Sequence, residues 1–441
     1  MSNIFFTRYM SQTDYGLYSN YYSIVALLVP FVGMNLYFAL SNAYIDYKDV
    51  IHKYRSSMLL LSNIGVIITA AAMILIKLVI GLSLPWICVF LAIAHAYGFF
   101  LVNYYIISMN MENRYIAKGL MLLIPYILQA AFAAIALAFC NTYISRAAGA
   151  TIGILLCGIV ASLIIIKEAS PKINIEQWKY ALRISLPAII GSVSAMIMQQ
   201  CDKVMITSIS GAEVNATYSL IYYIGYILLA VQQATNGGWQ VWLYNTLNKK
   251  KVMNIAAVQK WYMYAMLVLA TGLYMVAPEI IMILSPSDYW HFEYVVPFVI
   301  GSYLMFMYSI QLSVVQYNKK TGVISVIVSV GAAINIALNY MLIPTFGGVG
   351  AAYTSLVSYI FIFIVSGVYL KLTHDYYFND FNFLINIAIV IAMGVVFYFV
   401  SNLVILRYTV FLALLFAEAL YLFIKRHEIT SLFGGRILAR N

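Results

Sequence analysis

The 441-residue chain predicts an all-α, polytopic membrane protein, and three observations carry that expectation. Apolar residues make up 64% of it and charged ones 9%, with a mean hydropathy of +0.90; soluble domains sit near about 45–50% apolar and about 25% charged. Apolar runs of bilayer-crossing length, roughly 20 residues, recur thirteen times. The short polar links between them alternate in positive charge.

In chain order the expected spans are 17–40, 58–80, 84–108, 119–140, 147–166, 184–201, 215–240, 261–284, 294–315, 322–343, 349–370, 383–400 and 408–424. The runs are continuous and do not alternate residue by residue, which excludes a closed β-barrel. Odd-numbered links hold Arg8, Lys77, Arg146, Lys203 and Arg407, and the other 20 of the 25 Lys and Arg fall on the opposite side. A Lys/Arg bias in short loops sets orientation, so the rich side is expected to be cytoplasmic, with the C-terminus inside. The formal net charge of +10 then reflects orientation and contact with membrane lipids, and no nucleic-acid binding is expected.

Cys88, Cys140, Cys157 and Cys201 lie in or beside apolar runs without CxxC spacing, which indicates packing residues and neither a disulfide framework nor a zinc site. No HExxH, P-loop, GxSxG or dinucleotide motif occurs, and every link is too short for a soluble catalytic head. No enzyme activity, metal or cofactor is expected.

A weak internal repeat runs at an offset of 200. The segment Phe6–Ser19 enters its span as Met205–Ser219 does, Tyr18-Ser19 aligning with Tyr218-Ser219, and Tyr21-Tyr22 and Tyr222-Tyr223 follow. Repeated halves are common in transporters. The expected organisation is an N-terminal lobe over 1–167, a cytoplasmic linker over 168–183, a C-terminal lobe over 184–370, and two extra helices with a tail over 371–441. From Ile175 to Arg183 the linker is expected to form a short amphipathic surface helix. The second copy is preceded by a full span with Pro187 and Gly191, whereas the same offset puts the first copy's counterpart before residue 1. A fourteen-span protein lacking its first helix is therefore expected; the alternative is thirteen spans with an external N-terminus.

Charges inside or against hydrocarbon are costly unless hydrated or paired, which makes them functional candidates. Arg8, Asp202 and Lys203 end the first helix of each repeat, and Lys77 lies within an apolar helix. The basic groups suit an anionic headgroup, arginine through bidentate bonds and lysine as a point charge. The competing reading is snorkelling to outer headgroups, favoured for Arg146 and Arg407. Asp202 also suits simple neutralisation of Lys203. Gln232 and Asn236, four apart on one helix face, precede Gly237-Gly238, expected to loosen that helix as in transporter sites; a polar helix end is the alternative. Gln199 and Gln200 are weaker candidates. His95 suits proton relay, or a histidine satisfied by a neighbouring helix.

The entry Thr7-Arg8 … Asp14-Tyr15-Gly16-Leu17-Tyr18-Ser19 and the segment Asp202-Lys203-Val204-Met205-Ile206, then Tyr218-Ser219, resemble the polysaccharide (O-antigen/capsule type) flippases. So do Asn318-Lys319-Lys320, Asn335–Asn339, Leu342-Ile343-Pro344 and Gly347–Ala352. Those flippases belong to the multidrug/oligosaccharidyl-lipid/polysaccharide exporter superfamily. The resemblance covers nearly the whole chain. It implies two six-helix lobes around a cavity, alternating access in a bacterial inner membrane, and a polyprenyl-pyrophosphate-linked oligosaccharide as substrate. Polysaccharide polymerase and chain-length proteins are further partners of this expectation. A cation-coupled multidrug exporter of the same fold, dependent on Asp202 or Glu418, is the alternative, as is a non-transport component of a polysaccharide assembly complex.

Overall fold

The computed structural model describes residues 2–81, 84–249 and 253–427, and over these the chain is a series of helices joined by short turns, with no strand. Lys250, Lys251, Arg436 and Arg440, counted above for orientation, lie outside the described residues. In chain order the helices are α1 (Ser2–Tyr9), α2 (Gln12–Val32), α3 (Leu36–Asp46), α4 (Ile51–Ile80), α5 (Trp86–Met111), α6 (Tyr115–Phe139) and α7 (Tyr143–Glu168). There follow α8 (Ile175–Ile209), α9 (Ala212–Asn248), α10 (Met253–Leu284), α11 (Val295–Tyr317), α12 (Thr321–Leu372), α13 (Asp380–Val400) and α14 (Val404–Ile424). Side-chain caps start several of them: Ser11, Thr142, Asn174 and Asn379 each accept a first-turn N–H of α2, α7, α8 and α13.

Twelve helical stretches among the described residues are long and apolar enough to cross a membrane, α2 and α3 counting as one. One of the twelve, α12, is broken at Gly347 (φ 56°, ψ −139°), a conformation open to glycine and closed to side-chain-bearing residues. Its arms, 321–346 and 348–372, are each about 37–39 Å long at 1.5 Å per residue, enough to cross singly. The thirteen crossings read from hydropathy are thus present, and the chain is an all-α, multi-pass membrane protein. The expected surface helix at 175–183 is instead the first part of α8, continuous to Ile209.

The repeat persists in the helix register. α1 ends at Tyr9 and α8 at Ile209, while α2 opens at Gln12 and α9 at Ala212. The copies then diverge. The first is interrupted between α2 and α3, where Met34 and Asn35 take positive φ (46° and 50°) behind Pro30 and Gly33. The second runs unbroken through α9, so Gly237 and Gly238 do not loosen it. Helix propensity costs about 1 kcal/mol per glycine, too little to break a helix whose backbone has no other partner in hydrocarbon.

Contacts group the chain into two units, one up to Ala216 with Val328–Gly348, the other Thr217–Ile327 with the chain from Val349 on. This grouping follows packing, not ancestry. α8, which opens the second repeat, lies along α2 and α3: Ser23 Oγ donates to Gln200 Oε1 (3.0 Å) and Asn35 Nδ2 to Ser192 Oγ (2.9 Å). Farther along, Tyr180 Oη donates to Asp46 Oδ2 (2.5 Å) and Trp178 Nε1 to Ser57 Oγ (3.0 Å). Within the second unit, Tyr303 of α11 donates to the Met263 carbonyl of α10 (3.1 Å) and to Asn386 of α13 (3.2 Å). There α14 is tied to α10 by the buried Arg407, which pairs with Glu279.

Candidate functional site

The candidate groups of the first unit fall at three levels. At the basic-poor end, Arg8 is exposed near the end of α1. Close by, Arg146 in the first turn of α7 does not snorkel to the surface: it is only 6% exposed, its guanidinium 3.9 Å from the Phe6 ring centre and 3.7 Å from that of Tyr18. Arg407, also expected to snorkel, is 1% exposed in its ion pair. In both cases a neighbouring helix supplies the partner, Phe6 of α1 for Arg146 and Glu279 of α10 for Arg407.

One level deeper, Asp202 and Lys203 of α8 are both buried. Asp202 Oδ1 accepts from Asn339 Nδ2 (2.6 Å), which also reaches Asn335 Oδ1 (3.1 Å) on the segment of α12 that belongs to this unit. Lys203 Nζ donates to Gln200 Oε1 (3.4 Å), the oxygen that Ser23 of α2 also uses. The repeat offset pairs Arg8 with Ser208 and Lys203 with Asn3. Lys203 therefore sits five residues, about 7.5 Å along the axis, from the true counterpart of Arg8. The two cations are not symmetry mates; they offer charge at two depths. Chemically, Arg8 is an exposed guanidinium, a group able to bond phosphate bidentately, and Lys203 is a buried cation that bonds the Gln200 amide and interacts with the neighbouring Asp202 carboxylate.

At the third level lies the α2–α3 break. Asn35 is fully buried, and its Oδ1 has no hydrogen-bond partner. Interrupted helices near polar groups mark transporter sites. The sequence signal was present in Pro30, Gly33 and Asn35 inside the first span, but the Gly237-Gly238 pair is the louder one.

Lys77 closes a turn: its Nζ donates to the Leu84 carbonyl and lies 5.0 Å from the Trp86 ring centre. His95 is fully buried, its Nδ1 3.2 Å from Tyr21 Oη and 3.1 Å from Thr151 Oγ1, its Nε2 3.2 Å from Gln129 Oε1. It joins α2, α5, α6 and α7, a histidine satisfied by neighbours. In the second unit, Gln232 is buried and Asn236 half-buried, the latter with Oδ1 unpartnered. Glu418 of α14 accepts from Thr271 (3.2 Å).

The basic-rich end holds a cluster that sequence reading counts only as orientation. Arg55, 0% exposed, pairs with Glu112 at the end of α5 and Glu168 at the end of α7, and donates to Tyr44 Oη of α3 (2.9 Å). Partial burial pushes the Glu112 carboxyl up. Hydrogen bonds from Tyr44, Arg114 and Arg55 and the Arg55 charge outweigh it, leaving Glu112 below the usual carboxylate range. Among the described residues no group of three or more His, Cys, Asp or Glu is placed to hold a metal ion.

Among the described residues, long apolar helices with buried cations and with breaks at Met34–Asn35 and Gly347 have the character of a membrane transporter fold. The chain belongs to the family of polysaccharide biosynthesis proteins, whose family model matches residues 2–236. Its fold is similar to that of the lipid II flippase MurJ in an inward closed conformation, with TM-score 0.66 and 16% identity over 91% of this chain and 97% of that one. It is also similar to the Vibrio cholerae MATE transporter VcmN (TM-score 0.58, 15% identity, 85% and 92% covered) and to a MOP superfamily transporter from Pyrococcus furiosus (0.55, 15%, 84% and 90%). No curated protein sequence matches the chain.

Proposed function

We propose that this protein is a bacterial inner-membrane flippase, its C-terminus cytoplasmic, that moves a polyprenyl-pyrophosphate-linked oligosaccharide to the outer leaflet by alternating access. The observation that carries this reading is the pair of cations at two depths of one unit, exposed Arg8 and buried Lys203, the latter held by an amide. A diphosphate passing from one to the other exchanges charge-assisted bonds at each step, which lowers the cost of carrying two negative charges through hydrocarbon. Family membership and the likeness to a lipid II flippase support a lipid-linked substrate. Lobes bounded as the repeat suggests, 1–167 and 184–370, would supply the moving parts, with polymerase and chain-length proteins as downstream partners. In the second unit, taken by itself, Gln232 and Asn236 supply amides of the kind that suit sugar hydroxyl groups.

The test is surface polysaccharide made by cells that depend on this chain. Arg8→Ala and Lys203→Ala are each expected to lower it at least tenfold; if both leave it intact, the reading fails. The exporter alternative rests on the buried carboxylate of Asp202 beside Asn339 and Asn335. It predicts the reverse: loss of cation-driven drug efflux in Asp202→Asn or Glu418→Gln.

A further inference from the structure

Arg146 presents an unusual electrostatic problem. Its side chain is buried in the first turn of α7, where the positive end of the helix dipole already disfavours a cation. Yet no carboxylate among the described residues pairs with it. The nearby carboxylate of Asp14 is engaged otherwise, accepting from the Tyr143 N–H (3.0 Å) and from Ser11 Oγ (2.7 Å). Instead the guanidinium lies between the rings of Phe6 (3.9 Å) and Tyr18 (3.7 Å), with Tyr15 at 5.1 Å. Its Nη1 points to Met10 Sδ (3.6 Å), and its Nε has no partner.

Two consequences follow from that choice of partners. Phe6 and Met10 belong to α1 or its end, so the contact fastens α1 to α7, assisted by Asn141 Nδ2 donating to the Tyr9 carbonyl (2.9 Å). Arg8 lies between those two contact residues on the same helix. Aromatic quadrupoles also hold a cation without cancelling its charge, whereas an ion pair would fasten equally well and neutralise it.

We propose that Arg146 is a positioning residue for Arg8: it pins α1 by cation–π contact and leaves its own positive charge uncancelled at the end of the unit where Arg8 meets the phosphate. This rests on the reading of Arg8 above. Arg146 adds field and Arg8 makes the contact.

The test uses the full chain. Thr7, buried beside Arg8, is replaced by cysteine (Thr7→Cys) to report α1 docking through maleimide labelling above that of the parent chain. Phenylalanines carrying one, two and three ring fluorines are then placed at position 6, weakening the ring quadrupole with little change of shape. Labelling is expected to rise stepwise, by about five- to thirtyfold at three fluorines, the range for losing a desolvated cation–π contact. A flat series overturns the fastening. For the charge, Met10→Glu gives Arg146 a carboxylate and Met10→Gln a neutral match. Transport at least tenfold lower in the glutamate variant than in the glutamine one, with Thr7→Cys protected in both, is expected; equal transport overturns the field role. If Arg8→Ala leaves transport intact while fluorination still exposes position 7, the reading of Arg8 fails and the pinning of α1 stands. If Arg8→Ala abolishes transport and the fluorine series is flat, the converse holds.

Discussion

Replacing Arg55 by methionine removes a charge that joins the ends of α5 and α7 and touches α3, while keeping most of the side-chain volume. Truncating one partner of a fully buried ion pair costs about 3–5 kcal/mol, chiefly because the other charge is stranded. Here two carboxylates are stranded, but Glu112 and Glu168 keep 25% and 27% of their side-chain surface in solvent. Water and Arg114, 3.5 Å from Glu112, take over part of the load. The expected loss is therefore about 2–3 kcal/mol, below the fully buried figure. It is measured by denaturant unfolding of the purified chain in detergent. The triple variant Arg55→Met, Glu112→Gln, Glu168→Gln should recover at least half of that loss, since no buried charge is left unpaired and Arg114 is exposed to water. A single-variant loss under about 0.5 kcal/mol, or a triple variant no better than the single, would refute the argument that stranded charge sets the cost.

Three further outcomes are expected. Glu112 has a lowered folded-state pKa, so its contribution to stability is complete above the ordinary carboxylate range and is lost as pH falls through the lowered value. Unfolding midpoints compared between pH 7 and 3 should show this loss in the parent chain and less of it in Glu112→Gln. Thr13 Oγ1 donates to Glu213 Oε1 (2.9 Å), and a Cβ on Gly16 would stand 1.8 Å from the Ala212 carbonyl oxygen. Thr13→Cys with Glu213→Cys should accordingly cross-link on oxidation, and adding Gly16→Val should suppress the cross-link by forcing the two helix starts apart. His95→Gln should lower stability by about 1–3 kcal/mol by disturbing a buried polar network, yet leave the pH profile of transport unchanged; a shifted profile would restore the proton-relay reading.

Hydropathy made the crossings legible because a bilayer demands long apolar runs whatever the neighbouring helices are. The 200-residue offset was legible for a related reason: helix ends at Tyr9 and Ile209 are marked by local turn chemistry. The site was legible only in part. Lys203 and Asp202 stand out as charges in an apolar run, and helical spacing puts Gln200 within reach of Lys203, but nothing in the sequence says that Asp202 meets Asn339, 137 positions away. The glycine pair at 237–238 and the Gly33–Asn35 stretch carry similar composition, and only the second breaks its helix. Pro30 withholds an N–H there, and Asn35 finds Ser192 on α8 to bond.

Membrane class, number of crossings and repeat period are thus properties of the linear chain, since each depends on residue type and spacing against a uniform solvent. The partners of the buried charges are not. Arg55, Arg146 and Arg407 look alike in the sequence, one more cation near a helix end. In the folded chain Arg55 and Arg407 are ion-paired, while Arg146 is held by aromatic rings and keeps its charge. Burial strengthens every electrostatic interaction, so what a charge does depends on which side chain the packing brings within 4 Å.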